Sequence, residues 1–329
     1  MDSLPVSSAF IVQSTNNDAL ISKASAVRAG YMQDPYTLML SPRKTRKSPL
    51  LNRGSYVRWA AMDSLIRSFL SLPFPQDQSE TQVVSFGAGS DTRYLQLKSQ
   101  GIMAHRWFDV DFARITREKI LAFKKHPECM DLLEKDPSLI TFDKEDAQLS
   151  SPSYSILPGD LADISTSLGA ELIRHGLDPK QPTLFIAECV IAYMHPDVSK
   201  ELFQWPVAND FHMAAFLHYD PISPNDPFGT MMIHNLRDRG IELPGALSHP
   251  GKKQILDRFV QYQWSGTPKA LTIAEIYEYH LSNEERARMT RLEMLDEMEE
   301  FRLLCSHYLV AWAYRGPEEI WSKWSMVLP

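Results

Sequence analysis

The segment TQVVSFGAGSDTR, residues 81 to 93, decides how this chain folds. Its first half is rich in β-branched and aromatic residues, which predicts a buried strand that ends near Phe86. Gly87 and Gly89 follow at once. Because glycine lacks a Cβ, the chain can turn sharply there and bring bare backbone amides against a ligand. A helix is then expected to begin near Asp91, with its carboxylate as a side-chain cap.

A second strand of similar character is predicted at residues 105 to 112, HRWFDVDF. Asp111 stands near its end, about 24 residues beyond Gly87, where a Rossmann-like sheet places the acid that holds a ribose. The sixth position of the glycine motif is Thr92 and not a third glycine. This difference argues against the pyrophosphate of a dinucleotide.

Strands and helices alternate along the rest of the chain, as they do in an open α/β sheet. Five more strands are predicted, at 154 to 157, 183 to 187, 213 to 219, 269 to 273 and 306 to 313. Four acids stand at or just beyond strand ends, namely Asp111, Asp160, Glu188 and Asp220. Each could be a helix cap or a solvated loop residue. Together, at the edge where such sheets bind ligands, they favour a positively charged sulfonium cofactor that carries a ribose and an adenine.

The helical segments suggest how the chain is organised. Helices are predicted at 18 to 31, 55 to 70, 90 to 99, 113 to 126, 252 to 263, 273 to 280 and 283 to 290. Residues 1 to 17 are expected to be frayed, and residues 32 to 53, with the basic run RKTRK, to form a loop. We therefore divide the chain into an N-terminal helical lid, 1 to 75, and a core, 76 to 329. An insertion at about 221 to 263 covers the mouth of the site.

Composition points to an ordinary soluble enzyme with one domain and additions. The chain has 329 residues, 44% of them hydrophobic, and 34 basic against 41 acidic residues give a net charge of −7. This charge argues against a nucleic-acid partner. Three scattered cysteines match no disulfide framework, and histidines such as His195 and His218 show no metal spacing. We expect a cytoplasmic monomer without metal or membrane contact, and Cys189 is not a nucleophile because no histidine pairs with it recognisably.

From about residue 18 to 314 the chain resembles the leucine carboxyl methyltransferase family. The resemblance rests on GYMQDPY (30 to 36), NRGSYVR (52 to 58), FGAGSDTR (86 to 93), FDVDF (108 to 112), LFIAECVIAYMHPD (184 to 197), NDPFG (225 to 229) and LEMLDEMEE (292 to 300). It implies an α/β fold of the class I S-adenosylmethionine-dependent methyltransferase type, with a Rossmann-like seven-stranded sheet. It also implies S-adenosyl-L-methionine as cofactor. The implied acceptor is the C-terminal leucine carboxylate of the protein phosphatase 2A catalytic subunit.

Site residues follow from the same resemblance. Together with Gly89 of the turn, the implied cofactor contacts are Lys23, Arg58, Gly87, Asp111, Asp160, Leu161 and Glu188. Lys23 and Arg58 would pair with the methionine carboxylate, and Asp111 would accept both ribose hydroxyls. Asp160 would accept from the adenine amino group while Leu161 packs nearby. Tyr193 would lie near the transferred methyl group, which makes Tyr193 and Arg58 the candidate catalytic residues.

Several alternatives stay open at this point. Apart from the resemblance, Arg58 could pair with a surface acid and Tyr193 could be a core ring. The family commonly has a basic residue at the position of Pro227 and an aromatic one at Ser55, and both departures could alter the grip on the substrate. Two other functions are possible. The first is that of a related methyltransferase that acts on a modified tRNA base, and the second is that of a catalytically silent phosphatase-binding protein.

Overall fold

A computed structural model describes residues 6–41, 44–223, 225–264 and 266–329, with side chains from residue 10 onward. The strands of this described part form one mixed sheet. Their bounds are β1 (Gln82–Phe86), β2 (Arg106–Asp111), β3 (Thr141–Phe142), β4 (Leu149–Ser150), β5 (Tyr154–Pro158), β6 (Thr183–Glu188), β7 (Ala214–Pro221), β8 (Lys269–Thr272) and β9 (Tyr308–Arg315).

The sheet order is β3-β4-β5-β2-β1-β6-β7-β9-β8. The five strands from β5 to β7 are parallel, and β9 is antiparallel to both of its neighbours. All seven predicted strands are confirmed, with ends that shift by one or two residues. The β3–β4 hairpin at one edge was not predicted, because strands of two residues carry no hydrophobic period that a sequence could reveal.

Both faces of the central strand are covered. All five residues of β1 are buried, with Val83 in one hydrophobic cluster and Val84 and Phe86 in the cluster on the opposite face. Phe86 stacks on Phe185 of β6, with ring centroids 5.8 Å apart. Parallel strands that are buried on both faces read as continuous apolar runs. This explains why the segment that ends at Phe86 was recognisable as a strand.

The helices of the described residues lie on both faces of the sheet and at its carboxyl edge. They are α1 (Val6–Arg28), α2 (Pro35–Leu40), α3 (Pro49–Leu70), α4 (Arg93–Ser99), α5 (Ala113–Lys124), α6 (Pro127–Leu133), α7 (Gly169–Arg174), α8 (Pro196–Ala208), α9 (Pro227–Asp238), α10 (Pro244–Ser248), α11 (Lys252–Gln261), α12 (Ile273–Glu275), α13 (Asn283–Leu292), α14 (Met298–Ser306) and α15 (Glu318–Trp321). None of them is long and apolar enough to cross a membrane.

The N-terminal helix α1 is longer than predicted. It runs from Val6, so the expectation of a frayed segment up to residue 17 is wrong from Val6 onward, and residues 1 to 5 lie outside the described part. One polar residue of this segment, Asn16, contacts the glycine turn. Asn16 accepts a hydrogen bond from the Ser90 amide at 2.9 Å and donates one to the Ser90 hydroxyl at 3.0 Å.

Helix α3 also begins earlier than predicted. Ser48 caps it through a hydrogen bond from the Leu51 amide, and Pro49 occupies its first turn, where a missing N–H costs nothing. The predicted loop at 32 to 53 is therefore wrong at α2 and at the start of α3, and residues 42 and 43 of that loop lie outside the described part. Arg58 lies in the third turn of the helix and not in the first.

The chain after Gly316 packs across α3. We call residues 317–329 the C-terminal strap. Trp321 and Trp324 in this strap are both about 1% exposed, and the Trp324 indole donates to the Leu65 carbonyl of α3 at 2.8 Å. The Val327 amide donates to the Ser64 hydroxyl at 2.8 Å. Both tryptophans are therefore core residues.

The chain between β7 and β8 is helical, where the sequence predicts an insertion. It contains α9, α10 and α11, and β7 itself continues to Pro221 before the insertion begins. Asp226 caps α9 by accepting from the Gly229 amide at 2.7 Å, and its carboxylate also contacts His307 at 2.8 Å. This contact ties the start of the insertion to the start of β9.

Candidate active site

The turn after β1 requires both of its glycines. Gly87 and Gly89 have φ values of +62° and +50°, in the left-handed region that side chains avoid. A Cβ on Gly87 would lie 2.5 Å from the Val190 side chain, and one on Gly89 would lie 2.5 Å from the Asn16 carboxamide oxygen. The turn is thus enclosed between α1 and the chain that follows β6.

The helix after this turn begins at Arg93, later than predicted. Thr92 is the residue before its first turn and makes no side-chain cap, so Asp91 is not the cap residue. Asp91 still accepts from the Arg93 amide at 3.1 Å. Its carboxylate contacts the side chains of Arg93 and Lys23.

Asp111 ends β2, beside the glycine turn. Its Oδ2 accepts from the Gly89 amide and its Oδ1 from the Phe112 amide, both at 2.7 Å. Burial outweighs these two hydrogen bonds and raises the pKa of Asp111 to about 6. Neighbouring Asp109 cannot replace it, because Trp107, Lys119 and Tyr154 occupy its buried carboxylate with hydrogen bonds of 2.8, 2.6 and 2.5 Å.

Glu188 ends β6, on the other side of β1. The Arg58 Nε lies 2.5 Å from Glu188 Oε1, and the Arg93 Nη1 lies 2.5 Å from Oε2. Burial favours the neutral carboxyl group, but the two guanidinium groups outweigh burial and lower the pKa of Glu188 to about 2. Arg58 also lies over the Tyr219 ring, with its guanidinium carbon 4.4 Å from the ring centroid.

The same ion pairs continue around the turn. Arg93 Nη1 lies 2.8 Å from Asp91 Oδ2, and Lys23 lies 3.6 Å from Asp91 and 2.8 Å from buried Asp34. We call the resulting series the charge chain, and its members alternate in sign: Asp34, Lys23, Asp91, Arg93, Glu188 and Arg58. Asp34 also caps α2, so the chain links α1, α2, α3 and the turn.

The charge chain unites three of the predicted site residues, Lys23, Arg58 and Glu188. Both cations have carboxylate partners in the protein, so a ligand carboxylate would join existing ion pairs. Arg93 was missed, although it stands four residues after Gly89. Its position at the end of the glycine segment indicates that it lies near the site, but the segment does not indicate which residues it contacts.

Asp160 and Leu161 follow β5, the strand beside β2. Asp160 is exposed, and its Oδ1 accepts from the Ala162 amide at 2.9 Å, which caps the short 3-10 turn Leu161–Asp163. Leu161 is buried in the same cluster as Phe86 and Val110. The helix-cap role that was one reading of Asp160 is therefore present, at the same edge of the sheet as Asp111.

Tyr193 lies in the 3-10 turn Ile191–Tyr193 that follows β6. It is half-buried and packs against a hydrophobic cluster that includes Ile233 and Leu243 of the insertion, as does Ile11 of α1. Burial is the main reason that its pKa is raised. Cys189, which precedes this turn, has a left-handed φ of +58°, and burial raises the pKa of its thiol to about 12. A thiol held neutral in this way agrees with the interpretation that Cys189 is not a nucleophile.

Asp220 differs from the prediction. It lies inside β7 and not beyond its end, and its carboxylate is buried, with about 4% of the residue exposed. Its partners are His218 and the Ala192 amide. The row of acids that face the open edge near the turn is therefore Asp111, Asp160 and Glu188.

The strand order around β1 defines the class of the protein. Seven strands in the order β5-β2-β1-β6-β7-β9-β8, of which β9 alone runs opposite to the other six, form the sheet of a class I methyltransferase. The turn needs glycine at both positions, because both residues have left-handed φ values and a Cβ at either would collide with the Val190 or Asn16 side chain. Asp111 fits a ribose, because within the described part of the chain its carboxylate accepts hydrogen bonds from two backbone amides and from no side chain.

Comparison with known proteins gives the family. The model of the leucine carboxyl methyltransferase family matches residues 6–207, and the chain belongs to this family. A leucine carboxyl methyltransferase 1 homolog from Arabidopsis thaliana is 35% identical, over 92% of this chain and 88% of the relative. The tRNA wybutosine-synthesizing protein 4 of Rattus norvegicus is also 35% identical, over 97% of this chain but 46% of the relative.

A solved structure supports the fold independently. The crystal structure of a DUF574 family protein from Streptomyces avermitilis matches with a TM-score of 0.51 and 12% sequence identity. The match covers 89% of this chain and 96% of the other. At this identity the likeness concerns the fold alone.

Proposed function

We propose that the protein transfers a methyl group from S-adenosyl-L-methionine to the α-carboxylate of the C-terminal leucine of the protein phosphatase 2A catalytic subunit, which forms a methyl ester. Membership of the leucine carboxyl methyltransferase family supports the reaction type. The observation that carries the proposal is the pairing, on one glycine turn, of the Asp111 carboxylate on one side with the guanidinium groups of Arg58 and Arg93 on the other.

The residues around the turn would hold the cofactor by its polar ends. Asp111 would accept from the ribose hydroxyls, while Asp160 and Leu161 would contact the adenine. Lys23 and Arg58 would bind the methionine carboxylate, which would then be an additional anion in the charge chain. When bound, S-adenosyl-L-methionine supplies a methyl carbon whose bond to a positively charged sulfur breaks as a carboxylate oxygen attacks it, and the electron pair stays on the sulfur.

The acceptor side of the site needs no general base, because a terminal carboxylate is ionised at neutral pH. Tyr193 would orient this carboxylate as a weak, neutral donor, since burial keeps the phenol protonated. A strong ion pair at this point would stabilise the attacking charge and slow the reaction. The helices α1 to α3 and the insertion would act as a lid that excludes water while charge is neutralised.

Radiolabelled S-adenosyl-L-methionine with the phosphatase catalytic subunit tests the proposal directly. We expect base-labile label on the intact subunit and none on a subunit that lacks its last leucine. The Tyr193→Phe variant should transfer methyl groups more slowly and bind S-adenosylhomocysteine normally. Label that does not depend on the terminal leucine would refute the proposed acceptor.

A second candidate function has one observation in its favour. The rat tRNA wybutosine-synthesizing protein 4 matches as closely as the leucine carboxyl methyltransferases do. Bulk tRNA from cells that lack wybutosine carboxyl methylation, used as acceptor in the same assay, would distinguish the two. Label on tRNA with none on the phosphatase would assign the chain to the tRNA reaction.

A further inference from the structure

His218 lies on β7, is fully buried, and has no part in the site described above. Its Nδ1 is 2.9 Å from Asp220 Oδ2, and its Nε2 is 3.2 Å from the Arg258 Nη2. Arg258 belongs to α11 in the insertion, is about 2% exposed, and lies with its guanidinium carbon 4.2 Å above the Phe203 ring. A buried series of three side chains therefore links the insertion to the sheet.

The chemistry of the three groups fixes the protonation of the histidine. A guanidinium group can only donate, so the His218 Nε2 must be the acceptor. The Nδ1 then carries the hydrogen and donates it to Asp220. Burial, with a smaller contribution from Arg258, lowers the pKa of His218, in agreement with a neutral ring. His218 is thus a neutral bridge between a cation and an anion.

The other oxygen of Asp220 contacts the turn that carries Tyr193. Asp220 Oδ1 accepts from the Ala192 amide at 3.0 Å, and Ala192 is the middle residue of that turn. The chain between β6 and the turn is fastened to β7 at a second point, where the Cys189 amide donates to the Tyr219 carbonyl at 2.7 Å. Of these two bonds, only the one at Ala192 depends on a side chain.

We propose that Arg258, His218 and Asp220 form a positioning relay, in which His218 orients Asp220 and Asp220 holds the Ala192 amide so that Tyr193 points at the acceptor carboxylate. The relay acts through Tyr193 and touches neither cofactor nor acceptor. The proposal rests on the proposed function only for the role of Tyr193. The link from His218 through Asp220 to Ala192 can be tested without any methyl transfer.

Two substitutions of His218 separate the relay from simple packing. In His218→Asn the side-chain amide nitrogen takes the place of Nδ1 and can still donate to Asp220. In His218→Gln the longer side chain places its amide near the Nε2 position, toward Arg258, and Asp220 loses its donor. The two variants are both neutral and polar, so they form a matched pair.

Steady-state kinetics with the phosphatase subunit as acceptor should distinguish the two variants. We expect kcat/KM for the acceptor to fall about tenfold in His218→Gln, as for the loss of one hydrogen bond to a charged group, and to be largely rescued in His218→Asn. The affinity for S-adenosylhomocysteine, measured by calorimetry, should stay unchanged in both. Equal losses in the two variants, or a parallel loss of cofactor affinity, would refute the relay.

Nuclear magnetic resonance of the ligand-free protein gives the independent test. Long-range proton–nitrogen correlations should show His218 in the wild-type protein as a neutral ring with the hydrogen on Nδ1. Hydrogen exchange at the Ala192 amide should be faster in His218→Gln than in the wild type. A ring with hydrogen on Nε2, or unchanged exchange, would overturn the relay even if the phosphatase proves to be the acceptor. If no acceptor is methylated, these two measurements still decide the relay.

Discussion

Asp111 and Glu188 occupy equivalent places and have opposite electrostatics. Each is the last residue of a strand that pairs with β1, one on either side of the glycine turn. Asp111 is held by two backbone amides, and its pKa is raised to about 6. Glu188 is held by Arg58 and Arg93, and its pKa is lowered to about 2. Strand position alone therefore does not determine what an acid at this edge does.

The difference follows from what each carboxylate contacts. Guanidinium groups satisfy Glu188 inside the protein, so its main effect is to position Arg58 and Arg93. Amide donors leave the Asp111 carboxylate with remaining acceptor capacity, and burial makes its unneutralised charge unfavourable. A ligand that brings hydroxyl donors would relieve this cost at Asp111. We infer that Asp111 is the binding partner and that Glu188 organises the site.

Removing a guanidinium from the Glu188 side should have the largest effect. We expect Arg58→Met to lower methyl transfer at least about 100-fold, because the cation that pairs with Glu188, and that we propose also binds the methionine carboxylate, is lost. Glu188 keeps Arg93, so the fold should persist, as thermal unfolding can show. Arg67→Met on the same helix is the control, since Arg67 pairs with Asp63 one turn away. A normal rate in Arg58→Met would contradict the assigned role.

Removing charge on the other side should weaken cofactor binding. For Asp111→Asn we expect the affinity for S-adenosylhomocysteine to fall about 10-fold to 100-fold, as hydrogen bonds to a charged acceptor are replaced by bonds to a neutral one. Isothermal titration calorimetry measures this loss, with Asp131→Asn at an exposed position as the control. An unchanged affinity would place the ribose elsewhere.

Lowering the pH should weaken the binding of S-adenosylhomocysteine in the same way as Asp111→Asn does. The raised pKa of Asp111, about 6, means that the carboxylate form, which we propose accepts two ribose hydroxyls, is lost as the pH falls through this value. At pH 5 roughly a tenth of the protein would be ionised at this residue, so S-adenosylhomocysteine should bind about tenfold more weakly than near pH 8. The dependence should flatten in Asp111→Asn. A wild-type affinity that is constant over this range would contradict the comparison.

The smallest effect is expected for Arg93→Lys. A single nitrogen of Arg93 contacts both Asp91 and Glu188, and an ammonium group with three hydrogens can make the same two contacts. We expect the affinity for S-adenosylhomocysteine to change by no more than about threefold. Arg93→Met removes the charge and should lower this affinity by clearly more than threefold. Equal losses of affinity in the two variants would mean that Arg93 contributes through its shape and not through its charge.

The sheet was largely predictable from sequence, because each strand is encoded by residues that are adjacent in the chain. Each main strand is a short apolar run bounded by turn residues, and Asp111 and Glu188 could be placed at strand ends by counting. Helix ends were harder. Ser48 and Pro49 form a standard start signal, but the basic residues before them led to a loop prediction, which placed Arg58 two turns too early. The second half of α1 is predicted as a helix, but the polar first half, before residue 18, is not recognisable as one from the sequence.

The partners within the site could not be predicted, because they are distant in sequence. Arg93 and Glu188 are separated by 95 residues, and His218 and Arg258 by 40. Residue type indicates what a side chain can bond but not which of many possible partners folding brings near it. Arg58 illustrates this limit: its residue type indicates an acidic partner, but nothing in the sequence indicates that this partner is Glu188.

The C-terminal strap has a consequence for the order in which the protein is completed. Trp324 bonds to Leu65 across 259 residues of sequence, and β9 lies in the sheet between β7 and β8. Chains emerge from the ribosome at about 5 to 20 residues per second, so α3 waits many seconds for its last neighbours. The helix that carries Arg58 therefore reaches its final packing only after β9 and residues 317–329 have been synthesised, and a nascent chain that lacks them should be unable to retain a ligand at this site.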